Sequence, residues 1–231
     1  MKARALLCLG LALATAVAAR PAAAQVRGEL VPRYLKALEE RAVGEVEGRA
    51  HGEPRRPSGP PVPYDGVSVL LLPYAAEIEA RLDGVKTHLR DSTTSYVEAY
   101  ADLTAVRADF ERELLFAGGG ELIRGTVTDS DGSLRLVGIP AGEWLLLGWR
   151  EEQHAVKGAR AAPGSAAGFP GIPVTTGYAA VSYWRMRVSV RAGEVTSVDL
   201  SDRSVWLTAV RQELTHPDGT PRKATTPRTR R

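Results

Sequence analysis

Four histidines, at positions 51, 88, 154 and 216, are the residues most able to move a proton or hold a metal at neutral pH, and no two of them share a ligand-like spacing. The densest polar cluster is Glu151-Glu152-Gln153-His154, whose bland reading is a solvated strand end. Asp129 and Asp131 could begin a calcium loop, but its later ligands and closing Glu are missing, so a turn is favoured. No G-x-S-x-G occurs, and no serine has a motif-level link to a histidine. Gly118-Gly119-Gly120 follows a helical pattern without a Walker lysine, which suits a helix stop better than a phosphate cradle. Cys8 is the only cysteine, which leaves the body without thiolate metal, redox or nucleophile chemistry. No catalytic residue, metal site or cofactor is therefore expected, and the chain reads as a non-enzyme.

Aromatic residues remain. Trp144, Trp149, Trp184 and Trp206 either fill a core or, if exposed, stack on sugar rings, and the three phenylalanines of the chain make the core use the simpler one. Tyr96, Tyr100 and Phe110 fall on one helical stripe, and Phe169 on a long loop. Left uncovered, these four are the expected partner-binding residues.

The elements that would position them follow from periodicity. Lys2 and Arg4 precede an apolar run from Ala5 to Ala18, and Ala22-Ala23-Ala24 fits the small-residue rule of signal peptidase. Residues 1–24 read as a signal peptide, with cleavage after Ala24, or failing that after Ala18 or Ala19, giving a secreted or periplasmic protein. Cys8 lies inside the apolar run, so no acyl anchor is expected, and no later stretch has the length of a transmembrane helix. Removing Lys2, Arg4 and Arg20 from the 30 Lys and Arg leaves 27 to face 27 Asp and Glu. The mature chain is formally neutral, with basic residues concentrated after His216, and a nucleic-acid footprint on the body is not expected.

About 200 residues after the signal fit one core. A short helix is expected from Val31 to Arg41, and a β segment from Val43 to Ala50. The proline- and glycine-rich Gly52 to Pro63 then excludes regular structure, and Val67 to Leu72 reads as a core strand. Ile78, Leu82, Val85 and Leu89, then Tyr96, Ala99, Leu103, Val106, Phe110 and Leu114, recur every three to four residues. They fit an αα-hairpin or one bent helix, with Asp91-Ser92-Thr93-Thr94 a natural break. β-pattern resumes at Leu122, with a hairpin turn expected at Asp129-Ser130-Asp131-Gly132 and another turn at Pro140-Ala141-Gly142. Further strands are read at Glu143 to Trp149, Val181 to Val190, Val195 to Leu200 and Ser204 to Arg211, with Val156 to Tyr178 a long loop and residues 213–231 a basic disordered tail.

The pieces Val46 to Ala50, Pro63 to Leu71, Thr128 to Leu136 and Gly138 to Trp144 occur in the order seen in carboxypeptidase regulatory-like domains, which the chain resembles. The resemblance implies a transthyretin-like antiparallel β-sandwich of about seven strands, built from residues 43–74 and 121–212, with residues 25–42 an N-terminal helix and linker. It also implies a non-catalytic accessory module, and supplies no site residues. Nearly fifty residues between Pro73 and Leu122 depart from the family's short crossing, and they make residues 75–120 a helical insertion, expected to be the functional addition and dispensable to the sandwich. The expected function is contact with an envelope or extracellular protein through that insertion and the long loop. The alternatives are a polysaccharide-binding module using exposed tryptophans, and a hydrolase assembled from scattered residues.

Overall fold

The computed structural model describes residues 26–54, 56, 58–89, 93–155 and 174–215. A turn of π-helix at Val26–Leu30 leads into α1 (Val31–Glu39), which starts with Pro32 in its first turn, where a missing N–H costs nothing. Nine strands follow: β1 (Val43–Gly52), β2 (Val62–Pro63), β3 (Ser68–Pro73), β4 (Arg124–Val127), β5 (Ser133–Pro140), β6 (Gly142–Ala155), β7 (Val174–Val190), β8 (Val195–Ser201) and β9 (Val205–Thr215). Between β3 and β4 lie α2 (Ala76–His88) and α3 (Thr93–Phe116).

The strands form a β-sandwich. In the first sheet β1 is central, with β5 and the two-residue β2 antiparallel on one side and β8 parallel on the other. The second sheet has the order β4-β3-β6-β7-β9, antiparallel throughout. Between them Val46 and Ala50 of β1, Leu134 and Leu136 of β5 and Val198 and Leu200 of β8 are buried with Trp144 and Trp184. Both indoles find acceptors, Trp144 Nε1 donating to the Pro140 carbonyl at 2.8 Å and Trp184 Nε1 to the Ser201 carbonyl at 2.8 Å, as a buried indole requires. Tyr34 of α1 closes one end, its ring edge-on to Trp144 with centroids 4.9 Å apart.

The turn at Asp129-Ser130-Asp131-Gly132 is tight, as its composition demands, but it does not close a hairpin within one sheet. β4 pairs with β3 in the second sheet and β5 with β1 in the first, so the turn is a corner between layers. Buried Thr128 holds it, its hydroxyl donating to the Tyr64 carbonyl at 2.6 Å and accepting the Val67 amide at 2.9 Å. Gly132 has φ +79°, and a Cβ there would stand 2.4 Å from the Ala50 carbonyl oxygen. Its glycine is required twice over, by dihedral and by space.

Gly118, at φ +79°, ends α3, with the Gly119 amide bonded to the Leu114 carbonyl at 2.8 Å. The helices do not stand apart. Leu82 of α2 and Tyr100, Leu103 and Arg107 of α3 meet Leu147, Trp149 and Tyr183 on the face of the second sheet turned away from the first. The molecule is thus three layers, sheet, sheet and helices. This corrects the expectation that residues 75–120 are an addition the sandwich could lose, because Ile78, Leu82, Leu103, Phe110 and Leu114 are as buried as the sandwich interior.

One strand is longer than its sequence suggests. Val174 to Tyr178, inside the expected loop, belongs to β7, with Gly177 opposite Ala155 and Tyr178 opposite His154. Val174, Thr175, Thr176 and Tyr178 are themselves strand formers, and pairing with β9 along the segment and with β6 at Gly177 and Tyr178 carries the strand into it.

Candidate functional site

The three described histidines are kept apart. His51 Nε2 lies 2.8 Å from Asp199 on the outer face of the first sheet, His88 Nδ1 donates to the Gly84 carbonyl within α2 at 2.7 Å, and His154 stacks on Tyr178 with centroids 5.0 Å apart. His216 lies outside the described residues. Among the described residues no three His, Cys, Asp or Glu side chains gather as metal ligands. Asp131 is held as a turn residue: the Ser133 hydroxyl donates to it, as does the Ser133 amide at 2.8 Å. These bonds, with the neighbouring Asp129 carboxyl, pull its pKa down to about 2.

The expected partner-binding residues divide. Tyr96 is exposed on the first turns of α3, at 42%. Tyr100 is half-buried, its hydroxyl 3.5 Å from Glu151. Phe110 is 2% exposed, so it leaves the candidate surface: the side of α3 that carries it is the one that packs inward. Phe169 lies outside the described residues. The tryptophans are likewise unavailable as an exposed set, since Trp144 and Trp184 are fully buried and Trp149 and Trp206 pack partly buried against the core.

Among the described residues, two surfaces that join aromatic and charged side chains stand out. One is the end of a ribbon that outruns the sandwich. β3 covers β6 only from Trp144 to Trp149, whereas β7 pairs with β6 as far as Ala155 and β9 accompanies β7 from Trp184 back to Val174. Side chains alternate across the ribbon. Glu151 turns toward α3, where it meets Tyr100 and binds Arg211 at 2.7 Å. Arg150, Glu152 and His154 turn the other way, beside Tyr178 and Ser182 of β7. On that face the Arg150 guanidinium sits 4.1 Å over the Tyr64 ring and 3.5 Å from Glu152, and Tyr178 is 40% exposed. Tyr64 donates to Asp202 at 2.6 Å, and burial together with that carboxylate raises its pKa to about 12. The face is a row of planar polar groups and aromatic rings fixed by one another.

The other surface is a cleft of about 100 Å³ where α3 crosses the second sheet. Its walls are Tyr100, Leu103 and Arg107 of α3 with Trp149, Tyr183 and Trp206 of the sheet. Burial raises the pKa of both Tyr100 and Tyr183, so each remains a neutral hydrogen-bonding phenol. Tyr100, expected from its helical spacing among the partner-binding residues, lines this cleft, and the ribbon face was not expected. The alternation Arg150, Glu152, His154 is visible in the sequence, but only the pairing with β7 brings Tyr178 beside it.

No family model matches the chain, and no curated protein matches it. Among solved structures it is similar to a candidate carbohydrate-binding protein from Pseudomonas aeruginosa, 12% identical over 74% of this chain and 95% of that one, with a TM-score of 0.40. It is also similar to a pilus backbone protein from Streptococcus pneumoniae, 10% identical over 69% of this chain and 41% of that one, with a TM-score of 0.25. At these scores the functional reading rests on this chain's own side chains. No described helix is long and apolar enough to cross a membrane.

Proposed function

We propose that the chain is an exported, non-catalytic β-sandwich module of the carboxypeptidase regulatory-like kind, and that it holds an envelope component on the projecting end of the β6-β7-β9 ribbon. The basic, apolar and small-residue order of residues 1–24 supports export to a secreted or periplasmic location. The motif pieces that suggest the family fall on β1, β3 and the two corners between the sheets, Asp129 to Gly132 and Pro140 to Gly142.

The observation that carries the binding role is the ribbon face, where Arg150, Glu152, His154 and Tyr178 stand beyond the sandwich on the side that α3 leaves uncovered. Salt-bridged or stacked side chains lose little conformational entropy when a ligand arrives, which favours binding by a preformed surface. An aromatic ring flanked by guanidinium, carboxylate and imidazole suits a glycan strand or an extended peptide, and offers no group poised to cleave either. The test is retention of the purified protein on insoluble cell-wall polysaccharide and, separately, on immobilised envelope proteins. The double variant Tyr178→Ala, His154→Ala should lose at least about tenfold in affinity for whichever matrix retains the native protein, about 1.4 kcal/mol. Equal retention of native and variant protein would remove the ribbon from the binding surface.

A further inference from the structure

An edge strand carries a row of unpaired N–H and C=O groups, which can template pairing with another chain unless something blunts them. Three edges of this sandwich are blunted. β4 is four residues long, β5 carries Gly138 at φ +65° and ends on Pro140, and β9 carries Arg211 and Glu213. β8 is different. Val195 to Ser201 contains no proline, no Lys or Arg and no positive φ, and its one charge, Asp199, is tied to His51 at 2.8 Å. Among the described residues its only strand neighbour is β1.

The hydrogen bonds show which of its backbone groups face outward. The Glu194 carbonyl accepts the Glu45 amide of β1 at 3.0 Å, and direction alternates along a strand, so Thr196, Val198 and Leu200 turn their N–H and C=O groups to β1. Those of Val195, Ser197, Asp199 and Ser201 turn away from it. The Ser201 amide agrees, since it donates to the Ser204 hydroxyl at 2.9 Å and not to β1. That bond closes the Ser201 end. Ser204 also reaches the Asp199 carbonyl at 3.4 Å, which leaves that oxygen a second lone pair. The open stretch is therefore Val195 to Asp199. β9 does not screen it, because β9 leaves β7 at Trp184 and β8 lies beside the later part of β7, where Thr196 donates to the Ser189 carbonyl at 3.0 Å.

This stretch is complementary to itself. Turned about a two-fold axis at Ser197 and paired antiparallel, it sets Val195 against Asp199 of a second copy, so that outward amides and carbonyls meet their counterparts. On the inward side Thr196 meets Val198, both β-branched, and at the axis Ser197 meets itself. No carboxylate faces a carboxylate in this register, whereas an axis at Asp199 would oppose two.

We propose that two copies of this chain join edge to edge through β8, with Val195 to Asp199 of each pairing antiparallel about Ser197, so that the first sheet continues from one copy into the other. The contact is small, so association is weak and concentration-dependent. Sedimentation equilibrium of the purified mature protein should show a monomer–dimer equilibrium. Ser197→Lys and Ser197→Glu should each weaken the dimer at least tenfold, because like charges then face each other at the axis, with unchanged circular dichroism spectra. An equimolar mixture of the two variants should restore association to at least the native level, because Lys then faces Glu. Ser197 lies beside Glu47 of β1, so Ser197→Glu also adds a repulsion within one copy that Ser197→Lys does not, and the mixture separates the two effects. A native protein that stays monomeric up to about 1 mM would overturn the proposal and leave an extended segment of another protein as the occupant of the edge. Association that neither substitution weakens would place the contact elsewhere on the surface and overturn it too. So would a mixture that associates no better than its components.

Discussion

The two sheets of the sandwich are written in different alphabets. On β1 buried Val46 and Ala50 alternate with Glu45, Glu47 and Arg49, and Arg135 of β5 lies 2.6 Å from Glu45 and 3.1 Å from Glu47 across the solvated face. On β3 and β6 the alternation disappears: Val69 to Leu72 and Trp144 to Leu147 are buried without a break. A sheet wet on one side needs period two, and a sheet covered on both sides reads as a continuous apolar run. The helices between β3 and β4 are what cover the second sheet. The difference teaches that the long apolar strands and the helical pattern beside them are one feature, and that α2 and α3 are a layer of the core.

The largest break of this comparison removes that layer. Replacing residues 75–118 with a short Gly/Ser linker takes away Ile78, Leu82, Leu103, Phe110 and Leu114 and exposes Leu145 and Leu147. At about 1.5–3 kcal/mol for each large side chain, five of them already approach the roughly 5–15 kcal/mol net stability of a domain. The deletion variant should show no cooperative unfolding transition by circular dichroism. A folded variant melting near the native protein would return the helices to the status of an appendage.

A smaller break compares one side chain from each outer face. Leu145 is fully buried, on the side of β6 that alternation assigns to the helices, while Val137 of β5 is 56% exposed on the opposite side of the molecule. Leu145→Ala should cost about 2–5 kcal/mol in chemical denaturation, through lost burial and a residual cavity. Val137→Ala should stay within about 0.5 kcal/mol. Similar costs for the two would mean that the faces are equally covered.

The seam between the sheets is tested at Gly132. A side chain there meets a positive φ, worth about 1–3 kcal/mol of strain, as well as the Ala50 carbonyl. Gly132→Val should lower stability by about 3 kcal/mol, at the upper end of that range, because β1 must move as well. An unchanged melting temperature would show that the corner can re-form around a side chain.

Much of this is legible in the sequence. The strand β3, both helices, the glycine stop at Gly118 and the tight turn at Gly132 follow from local pattern, since each depends on residues a few positions apart. What local pattern cannot carry is partnership. Nothing in Val195 to Ser201 announces that it runs parallel to β1, and Asp129 to Gly132 has the same composition whether it joins neighbours in one sheet or crosses between two. The stripe holding Tyr100 and Phe110 was readable as amphipathic, but not which sheet it would cover. For the same reason the binding candidates shifted. Phe110 went to the core, and Tyr178 gained a site once β7 was seen to begin at Val174.

The smallest expected effect sharpens the seam without touching its packing. Asp131 is exposed, yet the Ser133 hydroxyl first, then the Asp129 carboxyl and the Ser133 amide, pull its pKa down to about 2, below the ordinary value of 3.8. A carboxylate whose pKa is depressed on folding binds its proton more readily in the unfolded chain. Its contribution is therefore complete above the unfolded value and disappears as pH falls from about 4 toward 2. The native protein should lose melting temperature over that window, and Asp131→Asn should lose less of it, because the amide cannot gain the proton while its oxygen can still accept from Ser133. The two proteins should also converge at the acid end, where the native carboxyl is protonated too. Parallel curves from pH 4 to pH 2 would mean that Asp131 is protonated as easily in the folded turn as in the open chain, and that the corner is held by Thr128 and Gly132 alone.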